Sequence, residues 1–290
     1  MRHVVHDPIT VVEGIDASAM HQSTPCGDGS MIWRVWGSGT PLLLLHGGHG
    51  SWTHWIRVIP QLSQRFRVIA PDLPGLGESA MPPEPYSGES LGAIVASGLD
   101  EIVGRASAFS VVGFSFGGIV GGHLAALREE RVRSLVLVGS GGLGLPRGQA
   151  LGLRNWRTLR DPEQRLAAHR HNLGILMIHD AAKVDELALY LQSENTRRAR
   201  LKSRPIAFTD TLRRALTLTG VPLAGIWGEC DATVGSRMAE YEALLRSLRP
   251  SLEFRIIEGA GHWVPYESPQ PFVTTLSSLV EADTAISKVS

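Results

Sequence analysis

Cysteine is almost absent from this chain. Its two cysteines, Cys26 and Cys230, stand far apart and in no Cys-x-x-Cys or Cys/His ligand spacing, which argues against a disulfide framework and a structural zinc site. Long apolar runs are missing too. No segment approaches the roughly 20 residues that span a bilayer, and the start, Met1-Arg-His-Val-Val-His-Asp-Pro8, lacks the basic-then-apolar pattern of a secretory signal. A cytoplasmic location is the expectation. Neither sign of charge is in excess, with 28 Lys+Arg against 28 Asp+Glu, so no global field favours nucleic acid, an anionic membrane or a polyacid as partner. A small, roughly neutral substrate is expected instead.

What is present reads as strands alternating with helices. The chain has 290 residues, 43% of them hydrophobic, enough to bury a large core. Residues 9–12 and 31–36 are β-rich patches, and Cys26-Gly-Asp-Gly-Ser30 is a turn signal between later ones, which predicts an antiparallel edge. Short apolar runs follow at 41–45, 67–70, 110–113, 134–138, 221–227 and 252–257, separated by helix-length stretches. Continuous apolar strands of that kind predict an α/β fold with a mostly parallel sheet covered by helices on both faces. The rhythm breaks once, over residues 144–218, where helical patterns rich in Arg, Leu and Ala take over. This predicts a helical lid inserted after the sixth strand of one domain spanning 1–290.

The strongest chemical signal is Gly113-Phe114-Ser115-Phe116-Gly117, at the junction of an apolar strand and a helical pattern. A serine on so tight a turn needs small residues two places to either side, and its exposed hydroxyl then sits at a helix N-terminus that favours developing negative charge. Serine is a weak nucleophile at neutral pH and needs a base that a carboxylate holds in the right tautomer. Gly259-Ala-Gly261-His262-Trp263 follows the last strand and supplies His262 as that base. The preceding strand runs into Gly228-Glu229-Cys230-Asp231, so the acid is Asp231 or its rival Glu229; Asp231 is preferred because the loop needs length to bend back toward the histidine. After the strand ending at Val138 the sequence reads Gly139-Ser-Gly-Gly142, with no competing carboxylate. For the oxyanion, the backbone N–H groups of Phe116 and Gly48 are the candidate donors, the latter in His46-Gly47-Gly48-His49-Gly50 directly after a strand. That loop lacks the Gly-Lys-Ser/Thr of a phosphate-binding loop. Neither metal nor organic cofactor is required by this set.

With these residues in order, the chain resembles the α/β-hydrolase superfamily over nearly its whole length. Pro71-Asp72-Leu73-Pro74-Gly75-Leu76-Gly77-Glu78-Ser79 and the run from Gly261-His262-Trp263 to Glu267-Ser268-Pro269 resemble further segments of that family. The resemblance implies the order Ser115, Asp231, His262 for the triad, a structural role for Asp72, and a supporting role for His46 in the oxyanion loop. Relatives that open epoxides or remove halides carry aspartate where Ser115 stands, so acyl-type hydrolysis is implied. Two substrate classes stay open. The lid, the glycine loop and Trp263 resemble hydrolases that cleave carbon–carbon bonds of aromatic ring-fission products, whereas Phe114 and Gly48-His49-Gly50 depart from that group and favour an ester or lactone. A ligand-binding module or a cofactor-free perhydrolase built on the same triad would also fit these residues.

Trp263, His49 and Trp52 are the candidate substrate-binding residues; Trp55 is as well explained by the core. Arg197, Arg198, Arg200 and Arg204 in the lid are candidates for a substrate carboxylate, though a solvated helix face explains such a cluster more simply. His169 and His171, two apart on a helix, point away from each other and do not make a metal site.

Overall fold

The alternation of apolar strands and amphipathic stretches resolves into one sheet. The structure, a computed structural model, describes residues 7–146, 148 and 152–286, with side chains as far as residue 281. Its strands are β1 (Met20–Cys26), β2 (Gly29–Trp36), β3 (Thr40–Leu45), β4 (Phe66–Pro71), β5 (Phe109–Phe114), β6 (Val132–Val138), β7 (Leu223–Gly228) and β8 (Glu253–Ile257). They lie in the order β1-β2-β4-β3-β5-β6-β7-β8. The first two form the expected antiparallel hairpin, β2 runs antiparallel to β4, and the remaining neighbours are parallel. Among the described residues the helices are α1 (Pro8–Ala17), α2 (Ile59–Leu62), α3 (Gly88–Val103), α4 (Phe116–Leu127), α5 (Pro162–Leu176), α6 (Glu186–Arg198), α7 (Arg204–Ala207), α8 (Thr211–Thr217), α9 (Met238–Leu248), α10 (Val264–Glu267) and α11 (Pro269–Ile286). This is an α/β-hydrolase fold. None of these helices is long and apolar enough to cross a membrane.

The continuous apolar runs follow from burial on both faces. Because successive strand side chains point to opposite sides, Leu43, Leu45, Val111, Leu135 and Leu137 join one core cluster. Leu42, Leu44, Val112, Val136 and Val138 join the other. Every residue of β5 and β7 is buried, and the carboxyl ends of these central strands lead into Ser115 and the loop that holds Asp231.

One expected strand is a helix. Residues 9–12 belong to α1, although Ile-Thr-Val-Val has the composition of a strand. Local capping overrides β-propensity here: the Asp7 carboxylate accepts from Thr10 N at 3.2 Å, and Pro8 occupies the first helical turn. Val11, Val12 and Ile15 then recur at helical spacing and pack on the core. Over 144–218, between β6 and β7, the described residues form α5, α6, α7 and α8 with single-turn segments and loops, and no strand; positions 147 and 149–151 of that range lie outside the described residues.

A buried ion cluster ties the first elements together. The Arg34 guanidinium on β2, only 3% exposed, reaches Asp16 of α1, Asp72 after β4 (3.3 Å) and Glu78 (2.6 Å). Asp72, 1% exposed, also accepts from Trp52 N (2.9 Å) and Glu78 N (3.0 Å), so it shapes the 72–79 loop as the resemblance implied. Removing one partner of a buried pair strands the other charge. Arg34→Met is therefore expected to lower the unfolding free energy by about 3–5 kcal/mol, read by urea denaturation, with Arg34→Met/Asp72→Asn recovering part of the loss. A single variant as stable as wild type would show that Asp72 is satisfied by its amide donors alone.

Candidate active site

The elbow between β5 and α4 is a steric construction. Ser115 adopts φ 51° and ψ −110°, a left-handed conformation that an L-residue holds only under constraint. A Cβ on Gly113 would lie 2.6 Å from the Gly117 carbonyl oxygen, and one on Gly117 would lie 2.7 Å from that of His46 and nearer still to that of Leu45. Strand, helix and the loop after β3 thus pass closer than any side chain permits. Ser115 N donates to Val138 O (2.8 Å), tying the elbow to the end of β6. The serine is half-buried at the N-terminus of α4, with its Cβ 3.3 Å from where a Gly47 Cβ would be.

Two buried histidines brace the loop after β3. Leu73 N donates to His46 Nε2 (2.8 Å), so His46 is protonated on Nδ1, which donates to Gly47 O (2.8 Å). Gly47 N donates to His54 Nδ1 (3.1 Å), so that ring carries its proton on Nε2. The Gly47 amide is therefore consumed, and the next residue along, half-buried Gly48, lies close to Phe116, whose Cβ is 3.6 Å from a Cβ placed on Gly48. His49 follows at φ 56°, half-buried. Burial, with Arg157 and Arg204 close by, lowers the His49 pKa. His54 is held well below the ordinary histidine value by burial and by His46, His262 and His49 around it.

His262 and Asp231 meet at the carboxyl edge of the sheet. Their Nδ1 and Oδ2 atoms are 2.8 Å apart, at 3% and 1% exposure. The other carboxylate oxygen of Asp231 accepts from Thr233 N (2.8 Å) and Thr233 Oγ1 (2.7 Å). Burial pushes the Asp231 pKa up, but His262 and the Thr233 donors outweigh it and leave the carboxyl below its usual value. Glu229, the rival acid, is exposed and accepts from Gly259 N (2.9 Å) instead. Gly139, following Val138, leaves room for the imidazole: a Cβ there would lie 3.0 Å from His262 Nδ1 and Cε1. Ser115 and His262 thus both lie against one residue junction, Val138-Gly139.

The histidine loop is pinned from beneath by Glu267, 2% exposed. Its carboxylate accepts from Gly261 N (2.7 Å), His179 N (3.1 Å) and Asp180 N (2.8 Å), so the loop and the segment after α5 share one buried anion. Trp263 N adds a bond to Met177 O (2.7 Å). On the other flank, Asn195 of α6 bonds Ser51 Oγ (2.7 Å) and Thr53 Oγ1. The indole of Trp263 is 1% exposed, stacked on Tyr266 and bonded to His54 O (2.8 Å). Trp52 packs on Trp36 beneath Arg34 and lines, with Asp72 and Asn195, a cavity of about 280 Å³ between α1 and α6. Both rings are thus engaged by the protein, and of the three substrate-binding candidates His49 alone lies in the glycine loop after β3.

Among the lid arginines, Arg197 pairs with Glu194, Arg198 with Glu78 and Glu194, and Arg200 with Ser79 O. Arg204 instead lies over the Phe208 ring. His169 is buried against Trp156, and His171 bonds Gly152 O. Among the described residues no three His, Cys, Asp or Glu side chains are gathered as metal ligands. Sequence reasoning missed His54, Thr233, Asn195 and Glu267 as contributors to the site. Of these only Asp231-Ala-Thr233 carries a local signal, an aspartate able to accept from the amide two residues on.

The neutral histidines have a consequence for stability. The native state holds His46, His49 and His54 below their ordinary pKa, while the unfolded chain binds protons below about pH 6.5. Their contribution is therefore complete above that pH and is lost as pH falls through it. His54→Gln, which keeps an acceptor for Gly47 N, should make the fall in unfolding free energy between pH 6.5 and 5 shallower by up to about 1.4 kcal/mol per pH unit. An unchanged slope in urea titrations would mean that His54 protonates as readily in the fold as outside it.

Comparison with known proteins agrees with this architecture. A 2-hydroxy-6-oxo-6-(2'-aminophenyl)hexa-2,4-dienoic acid hydrolase from Metapseudomonas resinovorans is 31% identical over 259 residues, covering 84% of this chain and 85% of that one. The dihydrolipoyllysine-residue acetyltransferase component of an acetoin cleaving system from Pseudomonas putida is 31% identical over 242 residues, 80% of this chain; the chain spans only 61% of that relative's length. The esterase RhEst1 from Rhodococcus sp. ECU1013 superposes with a TM-score of 0.75 at 24% identity, over 91% of this chain and 98% of that one, a likeness of fold. Residues 42–275 match the model of the alpha/beta hydrolase family, and the chain belongs to that family.

Proposed function

We propose that the protein is a serine hydrolase that cleaves a small-molecule ester or lactone through an acyl-enzyme on Ser115. The observation that carries this reading is the His262–Asp231 pair, 2.8 Å apart and buried, beside a serine strained at the head of α4. Asp231 accepts the hydrogen bond from Nδ1–H and leaves Nε2 as the base. His262 removes the Ser115 proton as the oxygen attacks a substrate carbonyl, and the Gly48 and Phe116 amides hold the oxyanion. His262 then protonates the leaving group, water attacks the acyl carbon, and Ser115 is regenerated. Asp231 remains ionised throughout, consistent with its lowered pKa. The insertion at 144–218 acts as a lid on a single domain, contributing Asn195 to the oxyanion side and the amides of His179 and Asp180 to the histidine side.

A second reading is carbon–carbon bond hydrolysis of a ring-fission dienoate, favoured by the Metapseudomonas relative, whose name is that of such an enzyme and which matches most of both chains. The test is hydrolysis of short p-nitrophenyl acyl esters beside loss of dienoate absorbance. Ser115→Ala is expected to cut kcat by at least about 10³-fold. Asp231→Asn, which keeps the side-chain shape but fixes the wrong tautomer, should cut it by about 10⁴-fold. Turnover of the dienoate alone would favour the second reading, and equal ester turnover by wild type and Ser115→Ala would sink both.

A further inference from the structure

Gly48 has no room for a side chain, and the obstruction comes from the insertion. A Cβ on Gly48 would run into Ser203 Oγ and lie 3.2 Å from Ser203 Cβ. Ser203 stands just before α7; its carbonyl accepts from Ile206 N (3.2 Å) and Ala207 N (2.9 Å). Its side chain does not cap the helix, and the residue is 3% exposed. Among the described residues, none hydrogen-bonds the Ser203 hydroxyl. Neighbouring buried hydroxyls are engaged: Ser51 and Thr53 by Asn195, Thr233 by Asp231. A nearly buried hydroxyl with no partner among the described residues calls for another acceptor. The same Gly48 position faces Phe116 Cβ at 3.6 Å. Ser203, Gly48 and Phe116 therefore converge on one small space.

We propose that Ser203 Oγ–H is a third hydrogen-bond donor to the substrate carbonyl oxygen, supplied by the lid alongside the amides of Gly48 and Phe116. This rests on the reading of Ser115 as nucleophile. The hydroxyl keeps its proton throughout. It donates more strongly as the carbonyl becomes an alkoxide and relaxes when the carbonyl re-forms, so its contribution falls on the transition state more than on substrate binding. A hydroxyl with no partner among the described residues can be deleted without orphaning any of their polar groups. Its removal should leave folding stability unchanged while slowing chemistry.

The test compares wild type, Ser115→Ala, Ser203→Ala and Ser203→Cys. Two readouts are taken: the second-order rate of labelling by an alkyl fluorophosphonate, followed by intact mass, and kcat and KM on p-nitrophenyl acetate. Labelling of wild type but not of Ser115→Ala establishes the nucleophile. Given that, Ser203→Ala should lose about 10- to 100-fold in both labelling rate and kcat, with KM within about twofold, Tm unchanged and Ser203→Cys intermediate. Wild-type rates in Ser203→Ala overturn the proposal. So does a loss confined to KM, which marks a substrate contact, or a loss that tracks a fall in Tm, which marks a packing role. If wild type is not labelled, or Ser115→Ala is labelled equally, the Ser115 reading fails and this inference falls with it.

Discussion

The close approach of β5, α4 and the loop after β3 is the constraint on which the site depends. Gly113 and Gly117 permit contact between backbones at distances no side chain would tolerate, and the chain can turn between them only by forcing Ser115 to a positive φ. That strain is sustained because both flanking elements are buried against the core and cannot relax apart. From the same geometry follow the exposure of the serine at a helix N-terminus, the position of the Phe116 amide, and the nearness of Gly47 and Gly48. The elbow is therefore the fixed point from which everything polar around it is placed.

Around that point the protein keeps its imidazoles in different charge environments. His46 and His54 are buried, His54 against Phe114 and Trp263, and both receive backbone N–H donors, which makes them acceptors that hold a loop. His262 instead faces a carboxylate whose ionised form is secured by Thr233. One residue type thus meets either a donor, which holds it as an acceptor, or an anion, which favours its protonated form.

Much of this is legible in the amino-acid sequence. Strands buried on both faces leave unmistakable apolar runs, and the residues at their carboxyl ends, Ser115, Asp231 and His262, stand at motif spacings with a steric or chemical cause. Loop length separates Asp231 from Glu229, and the exposed Glu229 bonded to Gly259 shows why two more residues matter. Residues 9–12 mislead because their β-branched composition is a louder signal than the Asp7-Pro8 cap. His54, Glu267 and Asn195 are illegible for another reason: each acts through a partner distant in the chain or through packing that no local periodicity encodes. Aromatic residues near the nucleophile are readable as a group, but not which of them turn inward, as Trp263 does toward Tyr266.

The insertion is fastened on both flanks of Ser115, by Asn195 to Ser51 and Thr53 on one side and by the Glu267 carboxylate and Met177 on the other. Swinging it away about either flank leaves the bonds of the opposite flank to be broken, at about 1–3 kcal/mol for each buried group left without a partner. A wide-open form is accordingly a sparsely populated state. Any widening of the space beside Ser115 then costs least as a small local excursion of the inserted segment's inner edge, so girth would be limited there by two sets of bonds at once.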